Sequence, residues 1–228
     1  MIRLNADVGE IDTAVFDGTQ EALLDVVDEA NVACGGHAGD ERTMRATVAQ
    51  CRARHVAIGA HPSYPDRANF GRTSMTMELA ALRASIRQQV RTLIDVAGSV
   101  RHVKPHGALY HDAGARPEIV DVLVDVMREV APGAALVLQA GAPQLERVRA
   151  AGGVAVVREG FADRGYRRDG SLIPRAQAGA LLLDPTAAVA QALGFARANA
   201  VDTLCVHGDT PGAVALARAV KAAIAARS

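Results

Sequence analysis

Four histidines in this chain lie beside glycine or proline just after short apolar runs: His37, His61, His106 and His207. Acidic and amide groups keep them company. Asn5-Ala6-Asp7-Val8-Gly9-Glu10 follows the first run, Asn31 to Asp40 closes the second, and Lys104-Pro105-His106 closes the fourth. The sixth ends in Glu159-Gly160-Phe161-Ala162-Asp163-Arg164 and the seventh in His207-Gly208-Asp209. Neutral imidazoles and carboxylates brought to one place can bind a divalent metal or share general acid/base work. Asp7, Glu10 and Glu159 are candidates for the base that activates water, or for ligands of a magnesium ion. Lys104 offers fixed positive charge for a substrate carboxylate or phosphate. The flanking small residues let backbone approach a ligand, and Pro62 and Pro105 favour extended conformations at His61 and Lys104.

Each of these residues also has a structural reading. Asp40 and Asp209 are suited to cap the helices that follow them. Asp163 and Arg164 can form a surface pair, and Asn31 can serve a turn. Recurrence at the same end of successive strands favours a shared site, because clustered charges are costly without one. His55 and His111 read as loop or helix-end residues and His102 as part of a strand, so all three are set aside.

The elements that must position these groups alternate. Apolar runs over Ile2 to Ala6, Val32 to Cys34 with the residues just before, Val56 to Ala60, His102 to Lys104, Ala135 to Gln139, Val154 to Arg158 and Thr203 to Val206 read as strands. Helical patterns lie between them, over Glu21 to Glu29, Glu41 to Arg54, Glu78 to Val96, Pro117 to Val130, Ala142 to Ala151, Pro185 to Ala198 and Pro211 to Ala226. The third repeats Leu79, Leu82, Ile86, Val90 and Leu93 at the spacing of a buried stripe. Strand–helix alternation predicts parallel βαβ units. A closed barrel is favoured over an open doubly wound sheet for two reasons. The first βα turn reads Gly9-Glu10-Ile11-Asp12 and lacks G-x-G-x-x-G, and polar clusters follow nearly every strand, as when all βα loops meet at one mouth. The expected fold is therefore an α/β, seven-stranded (β/α) barrel, one domain over 1–228.

Composition narrows the function further. Twenty-five basic residues balance twenty-five acidic ones and aromatics make up 3%, so neither a basic footprint nor a stacking platform for nucleic acid exists. Cys34, Cys51 and Cys205 form no C-x-x-C pair, and Cys51 reads as core filler. No apolar signal region opens the sequence and no run approaches a membrane span, which points to the cytoplasm. The absence of a nucleophile elbow, H-E-x-x-H and G-x-x-x-x-G-K-[ST] disfavours covalent serine chemistry and a P-loop ATPase. Spacing alone leads to a hydrolase or lyase acting on a small polar substrate.

Asn5 to Glu10, Ala30 to Asp40, Gly59 to Asp66 with Phe70-Gly71-Arg72, Val103 to Tyr110, Glu159 to Tyr166 and Cys205 to Gly212 together resemble the LamB/YcsF family. The chain departs from the family's usual pattern after Glu10, at Asn69 and Thr73, and in the short stretch Arg197 to Asp202. The resemblance implies a seven-stranded barrel similar to polysaccharide deacetylases. It also implies the role of the A subunit of an ATP-dependent 5-oxoprolinase, which opens the lactam of 5-oxo-L-proline to L-glutamate together with partner subunits B and C. ATP is then a co-substrate, and a divalent metal such as magnesium an additional candidate. Carried over residue by residue, Asp7 and Glu10 become acid/base groups or metal ligands, with His37 and His61 as further metal candidates. His37, His61, His106 and His207 line the mouth, polarising the amide and moving protons. Lys104 holds the substrate carboxylate or a phosphate, with Arg164 as its alternative. Glu159, Asp163 and Asp209 orient the bases, and Asn5, Asn31 and Asp40 complete the substrate set.

Three rival readings stay open. A metal-dependent amidase or deacetylase on the same barrel would hydrolyse an amide without ATP. A non-catalytic subunit would bind 5-oxoproline or steady its partners without turning it over. Schiff-base chemistry at Lys104 would need a desolvated, neutral amine.

Overall fold

A computed structural model of the chain describes residues 2–175 and 177–226. Seven parallel strands close into a barrel in sequence order. They are β1 (Arg3–Val8), β2 (Glu29–Ala33), β3 (Ala57–His61), β4 (His102–Val103), β5 (Ala135–Gln139), β6 (Ala155–Phe161) and β7 (Thr203–His207). Around them run α1 (Asp12–Phe16), α2 (Thr19–Leu24), α3 (Glu41–Ala53), α4 (Leu79–Ala97), α5 (Gly107–Ala115), α6 (Pro117–Val130), α7 (Gln144–Ala151), α8 (Pro185–Ala198) and α9 (Ala213–Ala225). No helix among the described residues is long and apolar enough to cross a membrane.

The strands alternate, and this alternation builds the site. Leu4, Ala6 and Val8 of β1, Ala30 and Val32 of β2, Val103 of β4, Leu136 and Leu138 of β5, and Leu204 and Val206 of β7 all belong to one apolar core. That core includes Leu82, Ile86, Val90 and Leu93 of α4 and Leu216, Ala217 and Val220 of α9, so it lies between sheet and helices. The intervening positions carry Asn5, Asp7, Asn31, Gly59, His61, His102, Glu159, Thr203, Cys205 and His207, and their side chains meet across the barrel rather than along one strand pair. Period-two alternation sends the two sets to opposite faces.

The expected strands are all present, with ends that differ from the expected ones by at most three residues. The helix expected over Glu21 to Glu29 is shorter. α2 stops at Leu24, and Glu29 opens β2. Leu24 and Val27 are both buried and their spacing mimics a helical stripe. Asp28 overrides it: its backbone N–H donates to the Leu4 carbonyl at 2.8 Å and its carboxylate accepts from the Leu4 N–H at 2.8 Å. These bonds draw the chain into the sheet beside β1. α1 and α5 do not follow from the pattern, since both are short and lack a sustained apolar stripe.

Gly59 has a specific job in the barrel. A Cβ there would stand 2.0 Å from His102 Nε2. Only glycine lets the His102 ring pass over β3 to reach Asn31 on β2, where Nε2 lies 2.7 Å from Oδ1.

Candidate active site

The polar groups inside the barrel form one network centred on Lys104, which extends β4 by a backbone bond from its N–H to the Ala60 carbonyl at 2.9 Å. Its ammonium lies 2.9 Å from Asp7 Oδ1, 3.1 Å from Glu159 Oε1 and 3.0 Å from Cys205 Sγ. Beneath it, Asn5 donates to Glu159 at 3.0 Å and to Thr203 at 2.9 Å, while Asn31 donates to Asn5 at 2.7 Å and to Asp7 at 2.8 Å. A buried polar network of this kind is stable only when nearly every member is satisfied. Burial works against the Lys104 charge, yet Asp7, Cys205 and Glu159 hold its pKa well above the ordinary value. Burial likewise disfavours the Asp7 carboxylate, but His61 and Lys104 more than offset this and keep it ionised. Lys104 is therefore a charged keystone, and its partners oppose the neutral amine that Schiff-base chemistry needs.

Above the network opens a cavity of about 410 Å³, of ordinary small-molecule size. Asp7, Glu10, His61, Lys104, His106 and His207 line its floor side, and Arg164, Arg175 and Asp209 its wall. The loop after β6 supplies that wall: Leu172 to Arg175 border the cavity, and the loop is tied down by isolated bridges pairing Arg164 with Leu181 and Tyr166 with Leu172. A second cavity of about 430 Å³ shares Asp7, Glu10 and Asp209 with the first and continues between α2 and the start of α9.

Two imidazole arrangements face the first cavity. At one side, His207 Nδ1 lies 3.0 Å from both oxygens of buried Asp163, which also accepts from the His207 N–H at 3.0 Å and from Thr210 Oγ1 at 2.7 Å. An ionised carboxylate only accepts, so Nδ1 carries a proton, and in the neutral ring Nε2 is the nitrogen with the lone pair. Burial raises the Asp163 pKa, but the bonds from His207 and Thr210 outweigh it and leave the carboxyl below its usual range. At the other side, His37, His61 and His106 gather around Glu10. His37 Nε2 lies 2.9 Å from Glu10 Oε1, and the His37 ring stacks on that of His106 with centroids 3.6 Å apart. Burial lowers the His37 pKa to about 4, against the pull of Glu10. Gly71 (φ +63°) makes room for this cluster, since a Cβ there would meet His37 Cβ at 2.9 Å.

The residues expected from the sequence divide into three groups. Asp7, Glu10, His61, Lys104, His106, Arg164, His207 and Asp209 meet at the cavity. His37, Glu159, Asp163, Asn5 and Asn31 lie behind it, bonded to residues that line it or to one another. Asp40 does neither. It is exposed, its carboxylate accepts from the Thr43 N–H at 2.8 Å in a capping box at the start of α3, and it does not line the cavity. The expected surface pair of Asp163 and Arg164 is instead two buried side chains with separate partners.

Sequence reasoning passes over His102 and Arg175. His102 lies on the same strand face as Lys104, two residues before it, and that spacing is a usable signal. Arg175 lies in an irregular loop and pairs with Asp209 at 2.8 Å, as does Arg72 from the opposite rim; nothing periodic marks it.

Residues 2–228 match the LamB/YcsF family. Among curated proteins, the chain is 43% identical over 242 residues to the 5-oxoprolinase A subunit of Methylococcus capsulatus, covering 99% of this chain and 93% of that one. It is 44% identical over 239 residues to the 5-oxoprolinase A subunit of Nocardia farcinica, covering 98% and 95%. Among solved structures, the lactam utilization protein from Thermus thermophilus superposes with a TM-score of 0.87 at 34% identity, over 99% of this chain and 96% of that one. Sequence match and superposition run end to end, as the shared closed barrel requires, and the chain belongs to the LamB/YcsF family.

Proposed function

We propose that this chain opens the lactam of 5-oxo-L-proline to L-glutamate as the A subunit of an ATP-dependent 5-oxoprolinase, acting in the cytoplasm with partner subunits B and C. One observation carries the reading. Arg164 is buried on the cavity wall, and no carboxylate lies within 4.0 Å of its guanidinium among the described residues, although acid/base groups line the same cavity. Two of its donors are committed to the Ala180 and Ile173 carbonyls at 3.0 and 2.8 Å, which hold the fork in place. A buried guanidinium without a counter-ion is costly, and the carboxylate of 5-oxoproline supplies one. Lys104, the first choice from sequence for that role, is already neutralised by Asp7 and Glu159.

With the carboxylate at Arg164, the lactam lies over Asp7 and His207. The unstrained amide is activated by transfer of the γ-phosphoryl group of ATP to its oxygen, releasing ADP. Water then adds to the ring carbon, giving up a proton to the His207 Nε2 lone pair. The C–N bond breaks as the nitrogen takes a proton back from the imidazole, and the resulting acyl phosphate is hydrolysed by a second water to glutamate and phosphate. Two waters and one ATP are consumed per glutamate. His207 thus serves as general base and then general acid, and the Asp7–Lys104 pair fixes the field around it. The names of the relatives, which mark them as parts of a larger enzyme, support the need for partners.

The test is Arg164→Met in the reconstituted three-subunit enzyme. Loss of a charge-assisted pair costs about 1.5–3 kcal/mol, so KM for 5-oxo-L-proline is expected to rise about 10- to 100-fold while kcat changes little. An unchanged KM would remove the carboxylate anchor and with it the orientation of the substrate.

A further inference from the structure

The cluster of Glu10, His37, His61 and His106 carries more than acid/base duty. Hydrogen bonding fixes two of its tautomers. His61 Nδ1 lies 2.7 Å from the Lys104 carbonyl and His106 Nε2 lies 2.9 Å from the Phe70 carbonyl. Carbonyl oxygens only accept, so both of those nitrogens carry protons. With both rings neutral, the other nitrogens, His61 Nε2 and His106 Nδ1, present lone pairs to each other at 3.0 Å, and Asp7 Oδ2 lies 3.4 Å from His61 Nε2. Glu10 Oε1 faces both, at 3.8 and 3.3 Å, and stands 2.9 Å from His37 Nε2. His37 Nδ1 is buried with no hydrogen-bond partner among the described residues. Glu10, His37 and His106, each on a different βα loop, and His61, at the end of β3, converge as four Lewis bases that a bound cation would satisfy.

We propose that this cation is a divalent transition metal of the zinc class, held by Glu10, His37, His61 and His106. One donor atom from each residue lies within 4.8 Å of the others. A tetrahedral sphere with bonds of about 2.1 Å separates its donors by roughly 3.4 Å, and four of the six donor separations, at 2.9, 3.0, 3.3 and 3.8 Å, bracket that value. Main-chain carbonyls that orient the outer nitrogens are the usual support of metal-bound imidazoles. Three imidazoles and a carboxylate suit zinc, cobalt, nickel or iron, whereas magnesium takes oxygen donors; the magnesium expected from the sequence does not match this set. The neighbouring trio of Asp7, Cys205 and His207 is not a second site, because the Lys104 ammonium already bonds Asp7 and Cys205. Glu10, His61 and His106 border the cavity, so the ion stands where a lactam carbonyl can reach it. That catalytic use rests on the proposed function; the presence of the ion does not.

The test reads the metal directly. The full chain, stripped by chelator and dialysed, is titrated with Co²⁺ while visible absorption is followed, and bound metal is counted by mass spectrometry. One tightly bound Co²⁺ per chain is expected, displaced by Zn²⁺ and indifferent to excess Mg²⁺. His37→Ala and the gentler Glu10→Gln should each weaken binding on the order of 100-fold or more, with circular dichroism unchanged, while Cys205→Ser and His207→Ala retain it. Absence of stoichiometric binding, or binding that survives both cluster variants, would overturn the proposal and leave a proton as the shared cation. Neither outcome depends on lactam turnover, so failure of the metal site and failure of the 5-oxoprolinase reading are separable.

Discussion

Lys104→Met is expected to abolish glutamate formation and to cost the protein about 3–5 kcal/mol of stability, the range for removing one partner of a buried ion cluster. The reason lies in what remains. Asp7 and Glu159 each lie within about 3 Å of the same ammonium, so without it two carboxylates face each other in a buried space. Methionine fills the volume but supplies no charge. Urea denaturation checks the energetic half of the expectation, and the double variant Lys104→Met/Glu159→Gln checks its cause. Removing one of the stranded charges should recover a substantial part of the loss. A single variant as stable as the parent would mean that the network does not hold the barrel interior together as the distances imply.

Asp163→Asn is expected to lower kcat on the order of 10²- to 10⁴-fold with little change in KM, as when a catalytic imidazole loses the carboxylate that sets its tautomer. Asp163 touches neither the cavity nor a substrate placed in it, so it is a positioning residue. Its carboxylate accepts from His207 Nδ1, from the His207 backbone and from Thr210. An amide in its place can turn its carbonyl away and its NH₂ toward Nδ1, which moves the proton to Nε2, the nitrogen that must take a proton from water. Nitrogen-15 NMR of His207 distinguishes this from a general loosening of the site: the tautomer should switch in the variant while the thermal midpoint moves little. Retained kcat with a switched tautomer would remove His207 from the chemistry.

The fold is legible in the sequence because the strands announce themselves as apolar runs followed by polar motifs. The same runs also contain the map of the interior. In Leu4-Asn5-Ala6-Asp7-Val8, every second residue is polar, and the polar set faces inward. That period places His102 beside Lys104, a position that strand membership alone does not reveal. Asp40 is ambiguous for a different reason. A residue that caps a helix and one that serves a βα-loop site occupy the same position in sequence, and only the capping bond to Thr43 tells them apart. The division of labour between Lys104 and Arg164 lies further out of reach. It depends on which cation already has carboxylates beside it, and the carboxylates beside Lys104 come from Asp7 and Glu159, on strands far from it in sequence.

The most direct test of the proposed function is glutamate release from 5-oxo-L-proline, measured with and without ATP, for this chain alone and for the chain mixed with subunits B and C. Glutamate is expected only in the complete mixture with ATP, with one ADP formed for each glutamate. Glutamate formed by the chain alone without ATP would contradict this function and make the protein a metal-dependent amidase. No glutamate from a mixture whose partners work with another A subunit would contradict it as well.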